Sequence, residues 1–362
     1  MAVLRTLRIA ALLTACCVGG IGMSQQRYPD PDDGPVLARL PVYTPAPAAT
    51  PRVGPKLPLG KCINLGSMLD KPVEGSWGQR PLTQGDLRKI AAAGFRTVRL
   101  PVNFAAHSGK APPYRVSPAI IARVRQVLAQ AQAVGLNVIV DLHRYEETNA
   151  DPFGQLPRLV AIWRQVAAAL ADQPDSVWFE LLNEPKHQIT LANFRQMVDP
   201  TLAAIRESNP RRIVIIGGPP SSKITHIARF EMPDDPYVVP TFHNYDPVPF
   251  THQGVKTMKP MPPIGRRFGS AGDIALLERN LRLAKAYMAK TGRVPFMGEF
   301  GVMGLEAIPD SERIAYLRTV SSAYASIGIQ SCVWNYANSY NLNLPDGRWR
   351  PGVVQAIATT SD

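Results

Sequence analysis

The chain has 362 residues, 45% of them hydrophobic and 19% charged; that is enough apolar surface for a large core and excludes a wholly disordered chain, which could not offset its ordering entropy. Beyond residue 26 no uncharged apolar run reaches the roughly 18 residues of a spanning helix, which excludes a polytopic membrane protein. Forty Lys and Arg against 28 Asp and Glu leave a formal charge of +12, but the basic residues are scattered rather than striped, so the charge argues for a basic surface and not for nucleic-acid binding.

Residues 1–26 read as an export signal rather than as part of the fold. Arg5 and Arg8 are the only charges before Arg27, and the apolar stretch Ile9 to Met23 follows them, in the order of a positive n-region and an h-region. Within it, Leu13-Thr14-Ala15-Cys16 has the shape of a lipobox, whose cysteine would carry a lipid anchor to a membrane. Cleavage after Gly22 or Ser24, releasing a soluble protein, stands beside it. The expected location is therefore periplasmic, outer-membrane-anchored or extracellular. Residues 27–58 hold nine of the 35 prolines. Prolines this dense cannot donate backbone hydrogen bonds and favour extended, solvated backbone, so the segment reads as a tether. An irregular arm lying on the domain surface is the alternative that composition leaves open.

Residues 59–362 alternate short β-branched runs with longer amphipathic stretches. The expected strands are Cys62 to Gly66, Thr97 to Val102, Asn137 to Leu142, Val177 to Leu182, Arg212 to Gly217, Tyr237 to Phe242, Val294 to Gly298 and Ile329 to Trp334. Between them the spacing predicts helices over Thr83 to Ala93, Pro118 to Val134, Leu156 to Ala171, Leu191 to Glu207, a short one near Ser222 to Arg229, then Ile274 to Lys290 and Ser311 to Ser326, with Pro351 to Thr359 last. Eight repeats of strand and helix are what a closed (β/α)8 barrel of the α/β class requires. A doubly wound open sheet would normally carry a glycine-rich turn after its first strand, and Asn64-Leu65-Gly66-Ser67-Met68 is not G-x-G-x-x-G. No stretch remains for a second folded domain.

Polar and aromatic residues fall at or just past the C-terminal ends of these strands: Asn64, Arg99, His143, Asn183 with Glu184, His243 with Tyr245, Glu299 and Trp334. In barrel enzymes that end carries the chemistry, because the loops of all eight strands converge there. Each residue alone has an ordinary structural explanation; seven strands ending this way together point to a site. Six histidines without H-E-x-x-H and four cysteines without C-x-x-C give no backing to a metal, and the absence of G-x-x-x-x-G-K-[ST] and G-x-S-x-G removes the simplest nucleotide and serine-hydrolase readings. No cofactor is expected.

These motifs resemble glycoside hydrolase family 5, the cellulase-type barrels of clan A, over nearly all of residues 59–362. The resemblance rests on Leu182-Asn183-Glu184-Pro185 and Gly298-Glu299-Phe300-Gly301, supported by Val98-Arg99-Leu100-Pro101, Asp141-Leu142-His143, His243-Asn244-Tyr245 and Val333-Trp334. The family's eight invariant positions find counterparts in Arg99, His143, Asn183, Glu184, His243, Tyr245, Glu299 and Trp334. Glu74-Gly75-Ser76-Trp77-Gly78 and Phe250-Thr251-His252-Gln253-Gly254 add a likeness to bacterial β-glucanases, while Asn244 departs from the aromatic or histidine expected there. The resemblance implies Glu184 as acid/base and Glu299 as nucleophile of a retaining mechanism, in which one carboxyl group protonates the leaving oxygen and the other attacks the anomeric carbon. Arg99 and Tyr245 would keep the nucleophile ionised, Asn183 would hold the sugar 2-hydroxyl, His243 would partner Glu184, Trp334 would floor the subsite, and His143 would bind the sugar or the nucleophile.

The expected activity is internal cleavage of β-1,4-glucan by a monomer, with Trp77, Tyr145, Tyr340 and Trp349 as stacking platforms. A β-mannanase or exo-β-1,3-glucanase of the same family is the alternative. A non-catalytic glycan-binding lipoprotein would have lost Glu184 or Glu299, and both are present. Cys62 and Cys332 fall in the first and eighth strands, and the alternating layers of a barrel core argue for free thiols over a disulfide. The export reading predicts that mass spectrometry of protein from its native host finds either a diacylglyceryl-Cys16 or a free terminus near Met23 or Gln25; retention of residues 1–15 would sink it.

Overall fold

The computed structural model describes residues 34–76, 80–337, 340 and 342–361, so the expected signal, Cys16 and Trp77 lie outside the described residues. Eight parallel strands close into a barrel in chain order. They are β1 (Cys62–Asn64), β2 (Thr97–Val102), β3 (Asn137–Leu142), β4 (Val177–Glu180), β5 (Val214–Ile216), β6 (Val238–Asn244), β7 (Phe296–Phe300) and β8 (Ser331–Val333). The helices are α1 (Gln84–Ala92), α2 (Pro118–Gln132), α3 (Glu146–Ala150), α4 (Pro152–Ala169), α5 (Phe194–Arg206), α6 (Ile224–Ile227), α7 (Val248–Thr251), α8 (Ala271–Thr291), α9 (Asp310–Ala325) and α10 (Val353–Ala356). Every expected strand and helix has its counterpart, trimmed or shifted at the ends. The short α3 and α7 were not expected, and α4 starts four residues early because Asp151 caps it by accepting from the Gly154 N–H at 2.9 Å.

Strand alternation sorts the side chains into two cores. Val98, Leu100, Val138, Val140, Phe179, Val214 and Ile216 point outward and are buried under the helices. The inward set is apolar at the N-terminal end of the barrel, where Cys62, Ile139, Trp178, Ile215, Val239, Phe296 and Cys332 meet Leu57 and Leu59. Further along the strands the inward positions turn polar: Asn64, Asp141 and Glu180 lie two residues past Cys62, Ile139 and Trp178, and with Arg99 and His243 all are buried. A residue's height in the barrel therefore decides whether it builds the floor or the site.

The proline-rich segment expected as a tether is, from residue 34 on, an arm against the barrel. Its free N–H groups meet carbonyls at loop and helix ends: Leu37 to Gly269, Ala46 to Ala325, Ala49 to Gly328, and Arg52 and Val53 to Gly292, all at 2.7–3.0 Å. It then closes the barrel floor with Leu57 and Leu59, whose carbonyls accept from Gln330 Nε2 at 3.0 Å and Thr97 Oγ1 at 2.6 Å. Composition counts the missing proline donors, but the waiting carbonyls belong to residues more than 200 positions away.

The expectation of free thiols is also corrected: Cys62 and Cys332 form a disulfide. They are direct register partners on β1 and β8, with Cα atoms 4.3 Å apart. Register partners on adjacent strands face the same side of the sheet, so the two share one layer rather than alternate ones. Because the bond closes a loop across 270 positions, replacing both cysteines by alanine should cost about 2–4 kcal/mol of unfolding free energy. An unchanged guanidinium midpoint, or two reactive thiols from this pair in denatured, unreduced protein, would contradict the bond.

Candidate active site

The polar layer is organised around Arg99, which is fully buried on β2. Its Nε donates to Glu180 Oε2 at 2.7 Å, and Nη2 donates to Glu180 Oε1 at 2.7 Å and Asn183 Oδ1 at 2.8 Å. Nη1 donates to Glu299 Oε1 at 2.7 Å and Asn64 Oδ1 at 3.0 Å. Asp141 Oδ2 lies 3.0 Å from Nη2. Burial works against the charge on Arg99, but Asp141, Glu180 and Glu299 outweigh it and raise its pKa.

Glu299 reaches this layer through an irregularity in β7. Phe242 of β6 pairs with Met297, yet the next residue, His243, pairs with Glu299, so Gly298 is an extra residue; the pairing of β7 with β8 shifts over the same stretch. Such a bulge re-aims the side chain that follows it. Glycine is required there because a Cβ would lie 2.6 Å from Thr241 Oγ1. Glu299 Oε2 accepts from the Tyr245 hydroxyl at 2.8 Å, so its two oxygens are held by a cation and a phenol.

Glu184 comes four residues after the end of β4, with φ 42°. Its Oε1 lies 2.9 Å from His243 Nδ1, which is itself 3.6 Å from Glu299 Oε2. Burial lowers the proton affinity of His243, but Glu299 and Glu184 outweigh it, so the pair keeps a proton. As an ion pair it would hold Glu184 below the usual carboxylate range, against burial. His243 Nε2, however, is buried without a partner among the described residues, and a proton there would leave an unsatisfied donor. That cost favours a neutral ring donating from Nδ1, with the shared proton on Glu184.

His143 is fixed by Asp141, whose Oδ2 is 2.7 Å from Nδ1, and its ring stacks on Trp334 at 5.3 Å and 8°. Burial depresses its imidazole, but the Asp141 hydrogen bond and charge raise it overall. Trp334 rests on Gly66, where a Cβ would lie 2.5 Å from the indole.

A cavity of about 390 Å³ opens above this layer. His143, Asn183, Glu184, His243, Tyr245, Glu299 and Trp334 line it, and Arg99 lies beneath, so the eight residues singled out from the sequence converge on one place. Of the expected stacking platforms, Tyr340 lines the cavity. Tyr145 does not: it is buried under Arg158, with its hydroxyl 3.0 Å from Gln155 Oε1. Trp349 does not either, because it packs on Phe95 at 5.8 Å beneath Lys89. Both are packing residues rather than platforms. Sequence reasoning missed Asp141, Glu180 and His252 as site residues. A charge at an inward position of an apolar strand was the available signal for the first two, since a buried charge needs a partner. His252 lines the cavity edge-on to Tyr245 at 5.0 Å, and burial lowers its pKa to about 4, so it stands there neutral.

Glu184, His243 and Glu299 place donor atoms within 4.8 Å of one another, a spacing that a metal could bridge. Much of this set is already engaged: His243 Nδ1 by Glu184, and both Glu299 oxygens by Arg99 and Tyr245. The grouping fits a proton-sharing pair facing an ionised carboxylate better than a set of free ligands.

Comparison with known proteins agrees with this chemistry. A family model described as cellulase (glycosyl hydrolase family 5) matches residues 66–340. Endoglucanase H of Acetivibrio thermocellus is 31% identical over 278 residues, which cover 76% of this chain and 29% of that protein. The chain likewise spans 36% of cellulase/esterase CelE of the same organism. A solved hyperthermophilic endo-β-1,4-glucanase in complex with substrate matches with a TM-score of 0.79 and 30% identity, over 82% of this chain and 96% of that one. Cel5A of Thermotoga maritima in complex with mannotriose matches with a TM-score of 0.78 and 28% identity, over 83% and 97%.

Because the Tyr245 hydroxyl donates to a Glu299 oxygen, Tyr245→Phe removes a hydrogen bond to the carboxylate and should move the acid limb of the kcat/KM profile to higher pH. Hydrogen bonds to charged groups are worth about 1.5–3 kcal/mol, so hydrolytic turnover should fall roughly 10- to 100-fold. An unmoved limb with full turnover would show that the contact is idle.

Proposed function

The chain belongs to glycosyl hydrolase family 5, and from that premise we propose that it is a retaining endo-β-1,4-glucanase with Glu184 as acid/base and Glu299 as nucleophile. The observation that carries the mechanism is the spacing: the two carboxylates have oxygens within 4.8 Å of one another. Retaining pairs stand about 5–5.5 Å apart, whereas inverting pairs need about 6.5–9.5 Å to admit a water.

In the first step a Glu299 oxygen attacks the anomeric carbon, the bond to the leaving oxygen breaks, and Glu184 delivers its proton to that oxygen. His243 supports this by donating Nδ1–H to one Glu184 oxygen, which leaves the other to carry the acid proton towards the cavity. Once Glu299 is esterified its negative charge is gone, and the reason for the pair to hold a proton weakens; Glu184 then acts as base. In the second step water attacks the same carbon, Glu184 takes its proton, and the Glu299 carboxylate leaves towards Arg99 and Tyr245. Asn183 accepts from Arg99 through Oδ1, so its Nδ2 is free to donate to the sugar 2-hydroxyl. The Trp334 face and His143 hold the sugar at the cleaved bond.

The endo-β-1,4-glucan assignment draws on relatives and solved neighbours named as endoglucanases, one of them a hyperthermophilic endo-β-1,4-glucanase with substrate bound. A mannan reading has one specific support, a neighbour crystallised with mannotriose. Glu184→Ala and Glu299→Ala should each lower turnover by several orders of magnitude with circular dichroism unchanged, and azide should restore part of it. NMR of the first-formed product should show retained configuration; inversion overturns the mechanism. On carboxymethylcellulose, barley β-glucan, glucomannan, xyloglucan and laminarin, the β-1,4-glucans should lose viscosity early. Glucose as sole product without a viscosity fall would refute endo action, and a preference for glucomannan would favour the mannanase.

A further inference from the structure

Glu180 is an acid that the two-step chemistry does not use. It lies on β4, is 1% exposed, and is not among the residues lining the cavity. Both of its oxygens nevertheless accept from Arg99, from Nε and Nη2, each at 2.7 Å. A two-point grip on a planar guanidinium fixes its tilt and its roll, which a single contact cannot do. With that edge held, the remaining nitrogen, Nη1, is aimed at Glu299 Oε1 at 2.7 Å.

We propose that Glu180 is a positioning residue for the nucleophile: it sets the roll of Arg99 that presents Nη1 to Glu299, and by sharing the guanidinium's charge it keeps Glu299 basic enough to attack. The proposal rests on the reading of Glu299 as nucleophile. Nucleophilic strength follows basicity, so a carboxylate facing an undivided cation would be ionised but sluggish. Here three carboxylates, Glu180, Asp141 and Glu299, divide one guanidinium. Burial, with Asp141 adding to it, raises the Glu180 carboxyl overall against the pull of Arg99; both of its oxygens nevertheless accept N–H groups from the guanidinium, and it is the ionised form that this two-point geometry suits.

The other groups that act on Glu299 come from the surrounding strands and loops. His143 on the β3 side and the Tyr340 hydroxyl act through space, and Glu184 past β4 has an oxygen within 4.8 Å of one of its own. From β6 come His243, 3.6 Å away, and just past it Tyr245, 2.8 Å away. Strand β1 presents the neutral Asn64, β8 leads to Trp334, and β5 is apolar. Of these groups His243 also feels the Glu180 charge through space, but the hydrogen bonds of Glu180 go to Arg99, so a change in its geometry reaches Glu299 through the guanidinium.

Two variants separate orientation from charge. Glu180→Gln keeps the length but removes one negative charge, so the field of Arg99 on Glu299 grows and the acid limb of kcat/KM moves to lower pH by about half a unit or more. Glu180→Asp keeps the charge but is shorter by one methylene. It draws the guanidinium towards β4 and away from Glu299, and the limb moves to higher pH. In both, kcat should fall about tenfold or more with KM within about threefold, because the interaction matters to the transition state more than to binding. The opposite directions are the signature, since a merely structural role would scale activity with the folded fraction and leave the profile in place. Limbs that superimpose on wild type, or that move the same way in both variants, overturn the proposal. If Glu180→Gln does not fold, Glu180→Asp decides alone, and an unmoved acid limb there overturns it. Failure of the nucleophile reading would show separately, as inverted product from the wild type or turnover surviving in Glu299→Ala.

Discussion

A guanidinium sealed inside a barrel must be compensated where it stands. Arg99 has no contact with water, and removing any one of its partners would leave an uncompensated charge in a low-dielectric layer, a far larger cost than the pair gains at the surface. This explains why the inward positions beside it on β3, β4 and β7 are acids and why the amides of Asn64 and Asn183 turn their oxygens towards it. With Glu184 included, the layer holds four carboxyl groups around one permanent cation. The excess negative charge is what lets His143 and the Glu184–His243 pair hold protons in spite of burial. Protonation states at this site are therefore a property of the group, not of single residues.

The same barrel separates stability from chemistry by height. Its floor is a dry plug of aliphatic, aromatic and disulfide side chains capped by Leu57 and Leu59, and the charged features lie further along the strands. Two glycines mark where backbone has made way for function. At Gly66 the Trp334 indole occupies the space of a side chain, and at Gly298 the extra residue of β7 turns Glu299 inward. A regular β7 would have directed Glu299 outward to the helices, as neighbouring Met297 and Phe300 are.

Much of this was legible in the sequence because it depends on local periodicity. Apolar runs such as Thr97–Val102 and Asn137–Leu142 coincide with β2 and β3, and the amphipathic stretches coincide with the long helices. The candidate site was legible because its residues recur at one end of seven of the eight strands. What escaped the sequence depends on partners distant along the chain or on too few residues to show a period. The five residues of α3 and the four of α7 are shorter than two helical turns. The arm is held by carbonyls of Gly269, Gly292, Ala325 and Gly328, and the disulfide by the register in which β8 meets β1. Glu180 and Asp141 were visible as letters, but their meaning depended on knowing that they face Arg99.

The bond between Cys62 and Cys332 joins the strands at which the barrel begins and ends. Everything that carries the site, from Asn64 to Glu299, lies on the stretch of chain between the two sulfurs, and Trp334 lies just beyond it. In covalent terms the catalytic layer is part of a ring, not of a line. A protease that cuts any single loop between residues 62 and 332 opens the ring but separates nothing: both pieces stay linked at the barrel floor, one carrying β1 and the other β8. The outermost strands are thus the last that a nicked chain could lose, which suits an architecture whose sheet has no edge to spare.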